Sequence, residues 1–263
     1  MDGELVLRTW ADVEEAERSF PSRQGDRPKW IYRGQANFCW RLEPSLLRLF
    51  SQLERIDPKD SAQLARAVAA EEAATKAFQM AHPMPADTRE WIGWWAIAQH
   101  YGGATRVLDW TGRLGVAVYM AARSHLGKDG AVYMLNTARI ARNCRLDNLR
   151  PTDEGWRQQQ RILREGHPET IHWCRSTTPY IRLQVQEGWF TTCTNILREQ
   201  GGLIEEQWPN ALKKFRIPSD SKRCLLAEAA LRGCSGSALF CDSTERAGYA
   251  QHESALLHFA RQG

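Results

Sequence analysis

The chain has no apolar run near the roughly 18 residues that a membrane-crossing helix requires, and its mean hydropathy is −0.52. It holds no H-E-x-x-H, no G-x-S-x-G, no P-loop and no C-x-x-C pair. Those gaps remove the helical zinc-hydrolase site, the serine-hydrolase elbow, the Walker-type phosphate cradle and the zinc ribbon from consideration. No metal is expected. The cysteines at 39, 144, 174, 193, 224, 234 and 241 are odd in number. The opening Met1-Asp2-Gly3-Glu4 lacks the basic-then-apolar order of a secretory leader, so reduced thiols and a cytoplasmic location without membrane contact are expected. Lysine is scarce, seven of 35 basic residues. Arginine dominates instead and suits bidentate contact with phosphate or carboxylate, although GC-rich coding gives the same bias.

What is present describes a globular chain. Its 263 residues carry 43% hydrophobic and 25% charged residues, close to ordinary domains, and the length favours one domain over two. Eleven tryptophans serve cores, and they also serve as stacking platforms for bases. Patterning predicts a strand over 4–8, a helix from Trp10, and a strand at 30–34. Helices follow at 43–50, at 61–80 capped by Asp60-Ser61, and at 87–101 ending on Gly102-Gly103. A strand at 105–110, a small-residue helix at 114–124 and a strand at 131–135 come next. Residues 136–177, polar and arginine-rich, read as a helical insertion. The alternation of Ile181, Leu183 and Val185 predicts a strand continuing to 195. A strand at 209–218, a helix at 219–233 capped by Ser219 or Asp220, a strand or turn at 238–241 and a helix near 247–261 complete the reading. The fold class is α+β, without regular βαβ alternation.

Two segments carry the chemistry. One is Tyr32-Arg33-Gly34-Gln35, followed by Trp40-Arg41-Leu42-Glu43-Pro44-Ser45-Leu46 and Arg48. The other is Gln99-His100-Tyr101-Gly102-Gly103-Ala104-Thr105-Arg106-Val107-Leu108-Asp109-Trp110-Thr111. In order and content they resemble the FRG domain family, named for its aromatic-Arg-Gly signature. Gln186-Glu187-Gly188-Trp189-Phe190 is similar to a later block of that family. Ala104 departs from the proline usual there. The resemblance runs from about residue 5 to 245 and implies one domain over 1–263.

The block order is in turn similar to NAD-dependent ADP-ribosyltransferases, which implies a split mixed sheet flanked by helices and NAD as a substrate. It places Arg33 and Gly34 at the dinucleotide, with Tyr101, Arg106, Asp109 and Thr111 lining its site. It places Gln186 or Glu187 opposite the ribose, and Gln184 beside them. Cleaving the nicotinamide–ribose bond develops positive charge on the ribose, as in glycoside cleavage, and a fixed acid or amide lowers that barrier. A forked arginine fits a pyrophosphate, and His100 is suited to a ribose hydroxyl or a proton relay. The residues alone leave other roles open. Arg33 pairing structurally with Asp109, Arg106 locking its own Arg-x-x-Asp turn, and His100 satisfied by backbone all remain.

Three functions follow. The first is an ADP-ribosyltransferase acting on single-stranded RNA or DNA or on protein, in the manner of a toxin or anti-phage effector with a neutralising partner. The second is an inactive module that binds nucleic acid or a nucleotide. The third is a nuclease or glycohydrolase using His100 and a carboxylate.

Overall fold

A computed structural model describes residues 5–24, 27–81, 91–100, 102–140, 153–166, 168–175 and 181–240. Its first half runs α1 (Trp10–Ser19), β1 (Arg23–Gln24), β2 (Arg27–Pro28), β3 (Trp30–Gln35), α2 (Ser45–Leu53), α3 (Ser61–Ala81), α4 (Trp91–His100), β4 (Val107–Thr111) and α5 (Leu114–Ala122). The second half runs β5 (Gly130–Asn136), α6 (Asp153–Glu165), β6 (Ile171–Cys174), α7 (Ile181–Val185), β7 (Gly188–Cys193), α8 (Gln200–Gln207), β8 (Leu212–Ile217), α9 (Lys222–Leu231) and α10 (Gly236–Leu239).

Six strands form one sheet in the order β6-β7-β4-β3-β5-β8, antiparallel at every step. The sheet is therefore not mixed, as the resemblance implied. The expected strand at 4–8 contributes only a parallel bridge, Val6 to Arg216, on the outer edge of β8. All seven residues of β5 are buried, because both faces are covered. Val132 and Met134 meet Leu114, Ala117, Val118 and Ala121 of α5 on one side. Ala131, Tyr133 and Leu135 meet Leu108, Trp110, Leu203 and Ile204 on the other. Helix α5 is apolar around its whole circumference, the pattern of a helix with no solvent face. Its second face packs Val116, Tyr119 and Ala122 against Leu226 and Ala229 of α9 and Leu239 of α10.

Strand β3 pairs with β5 over six residues, and β4 with β7 over five. Between β3 and β4 the ladder holds one pair, Tyr32 with Thr111. The sheet thus parts along its middle from Arg33 onward. Helix α5 closes tightly under that parting: a Cβ on Gly34 would lie 1.9 Å from the Ala117 carbonyl oxygen, so only glycine allows this approach.

Several expectations hold locally. The helix expected from Trp10 forms, closed by a reciprocal capping box of Thr9 and Asp12 that had not been expected, and the Asp60 carboxylate accepts from the backbone N–H of Ala62 and Gln63 at the start of α3. Others are corrected. Residues 181–185 form a helical turn, not a strand. The Gln186 N–H bonds back to the Arg182 carbonyl, and Leu183 and Val185 feed two different apolar clusters. Two-residue spacing over so short a run does not exclude one helical turn. The expected helical insertion supplies α6, but it also supplies β6, an edge strand of the main sheet. Ser221, not Ser219 or Asp220, sits at the start of α9, and its side chain makes no capping bond. Residues 236–239 are helical rather than a strand or turn. The helix expected near 247–261 lies outside the described residues.

Candidate functional site

The parting of β3 from β4 opens a cleft of about 660 Å³, within the range of small-molecule sites, roughly 300–1,000 Å³. Its floor is built by the two strands that separate. Arg33 extends across the gap, and its Nη1 donates to the Asp109 carbonyl oxygen at 2.6 Å. The bond satisfies a backbone acceptor on the stretch of β4 where pairing with β3 has stopped. The Asp109 carboxylate opens into the cleft and accepts from the Gln99 side-chain amide. Gln99 is itself oriented by the Thr105 hydroxyl, which donates to its carbonyl oxygen at 2.6 Å.

Charge governs this floor. Burial pushes the Asp109 carboxyl up, while Arg33 and Arg182 pull it back toward the anion. Burial likewise lowers Arg33, with Asp109 opposing and the like charge of Arg48 adding to the lowering. Among the described residues five arginines line the cleft, Arg33, Arg41, Arg48, Arg123 and Arg182, against the two carboxylates Asp109 and Glu43. A cleft so lined attracts and orients an anion. Two of the five are set by an aromatic ring. The guanidinium carbons of Arg182 and Arg123 lie 4.4 Å and 4.8 Å from the Phe240 ring centroid.

His100, the last residue of α4, lines the same cleft. Arg182 Nη1 lies 2.5 Å from its Nδ1. A guanidinium has no acceptor, so Nδ1 receives this bond and the proton of the neutral ring sits on Nε2.

Arg33, Gly34, His100, Asp109, Thr111 and Gln186 are therefore brought together, though several have local tasks. The Thr111 hydroxyl donates to the Gln186 carbonyl oxygen at 2.5 Å and accepts from the Arg113 N–H. The Gln186 amide donates to the Leu239 carbonyl oxygen at 3.0 Å. Gly34 serves helix packing.

Arg106 is elsewhere, buried in an ion pair with Glu71 whose two side chains are each 3% exposed, and it does not pair with Asp109. Glu187 is not among the described residues lining the cleft. It turns the chain at φ 47° and holds its carboxylate 3.8 Å from Arg23. Gln184 is exposed on α7, and Tyr101 lies outside the described residues. The sequence reading did not nominate Arg123, Arg182 or Phe240, which come from three separate segments, and no spacing rule links them.

Among the described residues no group of three metal-binding side chains occurs, and no helix is long and apolar enough to cross a membrane. Comparison with curated proteins and with solved structures gives no match. A family model does match: residues 28–130, which contain Arg33, Trp40, His100 and Asp109, match the model of the FRG domain.

Proposed function

We propose that the cleft binds NAD, breaks its nicotinamide–ribose bond and passes ADP-ribose to a macromolecular acceptor. The observation that carries this reading is the lining of one cleft by five arginines together with the Asp109 carboxylate, where the sheet parts. The pyrophosphate is assigned to Arg33 and Arg48, whose positive charges bear on each other across the cleft. When the bond breaks, its electron pair leaves with neutral nicotinamide and the ribose C1′ becomes cationic. The Asp109 carboxylate, steadied by Gln99, faces that charge. The Nε2–H of His100 donates to a ribose hydroxyl. An acceptor hydroxyl or amine then bonds to C1′ and releases its proton to solvent. The acceptor is assigned to single-stranded nucleic acid or a protein side chain, in the setting of a toxin or anti-phage effector restrained by a neutralising partner.

The carboxylate role thus moves from Glu187 to Asp109. Thermal stability with NAD, and nicotinamide release in the same samples, test this. NAD should raise the melting temperature, and release should be lost in Arg33→Ala and Asp109→Asn but kept in Glu187→Ala. Full release by Asp109→Asn overturns the assignment. A second reading, a nucleotide-binding module without turnover, is favoured by the Gln186 amide being held on Leu239 and by Glu187 facing Arg23. It predicts the NAD-dependent shift with no release from any variant.

A further inference from the structure

The segment Trp40-Arg41-Leu42-Glu43-Pro44-Ser45-Leu46 holds more than packing explains. Leu42 and Leu46 enter two apolar clusters. The Leu42 N–H bonds to Glu199, the Glu43 carbonyl accepts from Arg48, and the Ser45 hydroxyl accepts from the Thr105 N–H at 2.9 Å. Trp40 is different. Its side chain leaves the residue 44% exposed, the largest aromatic surface left open among the described residues, and it lines the cleft mouth beside Arg41.

The backbone beneath Trp40 is held at almost every step. The Ala36 carbonyl oxygen accepts from Lys222 Nζ at 2.7 Å. The Phe38 N–H donates to the Asp129 carbonyl oxygen, and the Phe38 carbonyl oxygen accepts from Lys214. Tyr133 Oη donates to the Trp40 carbonyl oxygen at 2.9 Å, and the Gln35 amide donates to that of Arg41. The ring is buttressed as well: His125 forms a T-shaped contact with it, ring centroids 5.1 Å apart, and the His125 carbonyl oxygen is tied to the same Lys222. A ring already fixed loses little entropy when a ligand covers it. A flat π-face with a guanidinium next to it is the chemistry that accepts an unpaired nucleobase and its phosphate.

We infer that Trp40, buttressed by His125 and flanked by Arg41, is the platform on which a nucleobase stacks at the mouth of the cleft. This deepens the NAD reading and rests on its pyrophosphate site. The base comes either from the dinucleotide seated in the cleft or from a single-stranded nucleic acid entering it, and the test separates the two.

Binding of ADP-ribose, of inorganic pyrophosphate and of a twelve-nucleotide single-stranded RNA is measured on the full chain and on Trp40→Leu, Trp40→Phe and Arg33→Ala. Trp40 sits at the surface, so its variants should melt with the parent. Trp40→Leu should weaken ADP-ribose about tenfold or more while leaving pyrophosphate unchanged, and Trp40→Phe should restore most of the loss. Should the RNA weaken in place of ADP-ribose, the base belongs to a nucleic-acid strand and the platform stands. Equal binding of both ligands by the parent chain and Trp40→Leu, with ADP-ribose lost only in Arg33→Ala, overturns the platform and leaves the NAD reading intact. No binding of ADP-ribose or pyrophosphate by the parent chain overturns the NAD reading. If the RNA also fails to bind, the platform falls with it.

Discussion

Arg106, the residue just before β4, and Arg33, on the neighbouring strand β3, have opposite surroundings. Arg106 is closed in. Its guanidinium is paired with Glu71, donates to the Leu163 carbonyl oxygen at 2.8 Å and lies 5.1 Å from the Trp95 ring centroid. Arg33 reaches over a gap in the sheet to a carbonyl oxygen, with its charge shared between the Asp109 carboxylate and open cleft. One cation has a full anionic partner and almost no water. The other has a backbone dipole and room for a ligand. The difference separates an arginine closed into the core from one that lines a cleft, although the two are alike in residue type and lie in adjacent motif blocks.

The comparison is broken most forcefully at Arg106. Arg106→Ala leaves the Glu71 carboxylate buried and unpaired, which should cost about 3–5 kcal/mol in chemical denaturation. Replacing both partners, Arg106→Met with Glu71→Leu, should recover most of that loss, because the buried charges leave together. If the double variant is no better than the single, the pair is not the isolated unit the geometry describes. Gly34→Ala comes next. The new Cβ meets the Ala117 carbonyl oxygen, so β3 and α5 must separate, at about 1–3 kcal/mol. A smaller stability effect is expected at Arg33. Arg33→Ala forfeits one bond to a carbonyl oxygen, worth about 1 kcal/mol, so melting should fall only slightly while NAD no longer shifts it.

Much of the fold was readable because it rests on local rules. The helix at Trp10, the Asp60 cap, the small apolar residues of α5 and the buried run of β5 are each stated within one short window. The parting of β3 from β4 was not, since it depends on how many residues two distant strands pair. Nor was β6, four residues after an arginine-rich stretch, whose burial comes from lying beside β7. In the site, Arg33, His100 and Asp109 were legible because motif blocks carry them. Arg106 lies three residues from Asp109 and was drawn toward it, yet its partner Glu71 is on α3, 35 residues away. Glu187 was drawn into the site by the resemblance in block order, and the helical turn of α7 and the left-handed backbone at Glu187 redirect it. Arg123 and Arg182 become neighbours only through the Phe240 ring.

Lys222 sharpens the comparison with a third cation, one that is buried but has neither a carboxylate partner nor a cleft. Its ammonium donates to the carbonyl oxygens of Ala36, Ser124 and His125 at 2.7, 3.0 and 3.1 Å. Those bonds tie the end of β3 to the end of α5, two walls of the cleft. Carbonyl dipoles replace water incompletely, and burial lowers the Lys222 amine from its ordinary 10.5 to about 8, with Asp129 partly opposing. Between about pH 8 and 10.5 the unfolded chain therefore holds a proton that the folded chain has released. Stability from this group must rise with pH across that window, and it is reduced below pH 8, where the charge is kept and the desolvation is felt. Measured against Lys222→Met, which removes the titration and leaves the other lysines in place, the parent chain should gain stability as pH climbs from 8 to 10.5. A flat difference between the two would mean that three carbonyl oxygens solvate an ammonium as well as water does. In that case the contrast between Arg106 and Arg33 would owe less to the carboxylate than the geometry suggests.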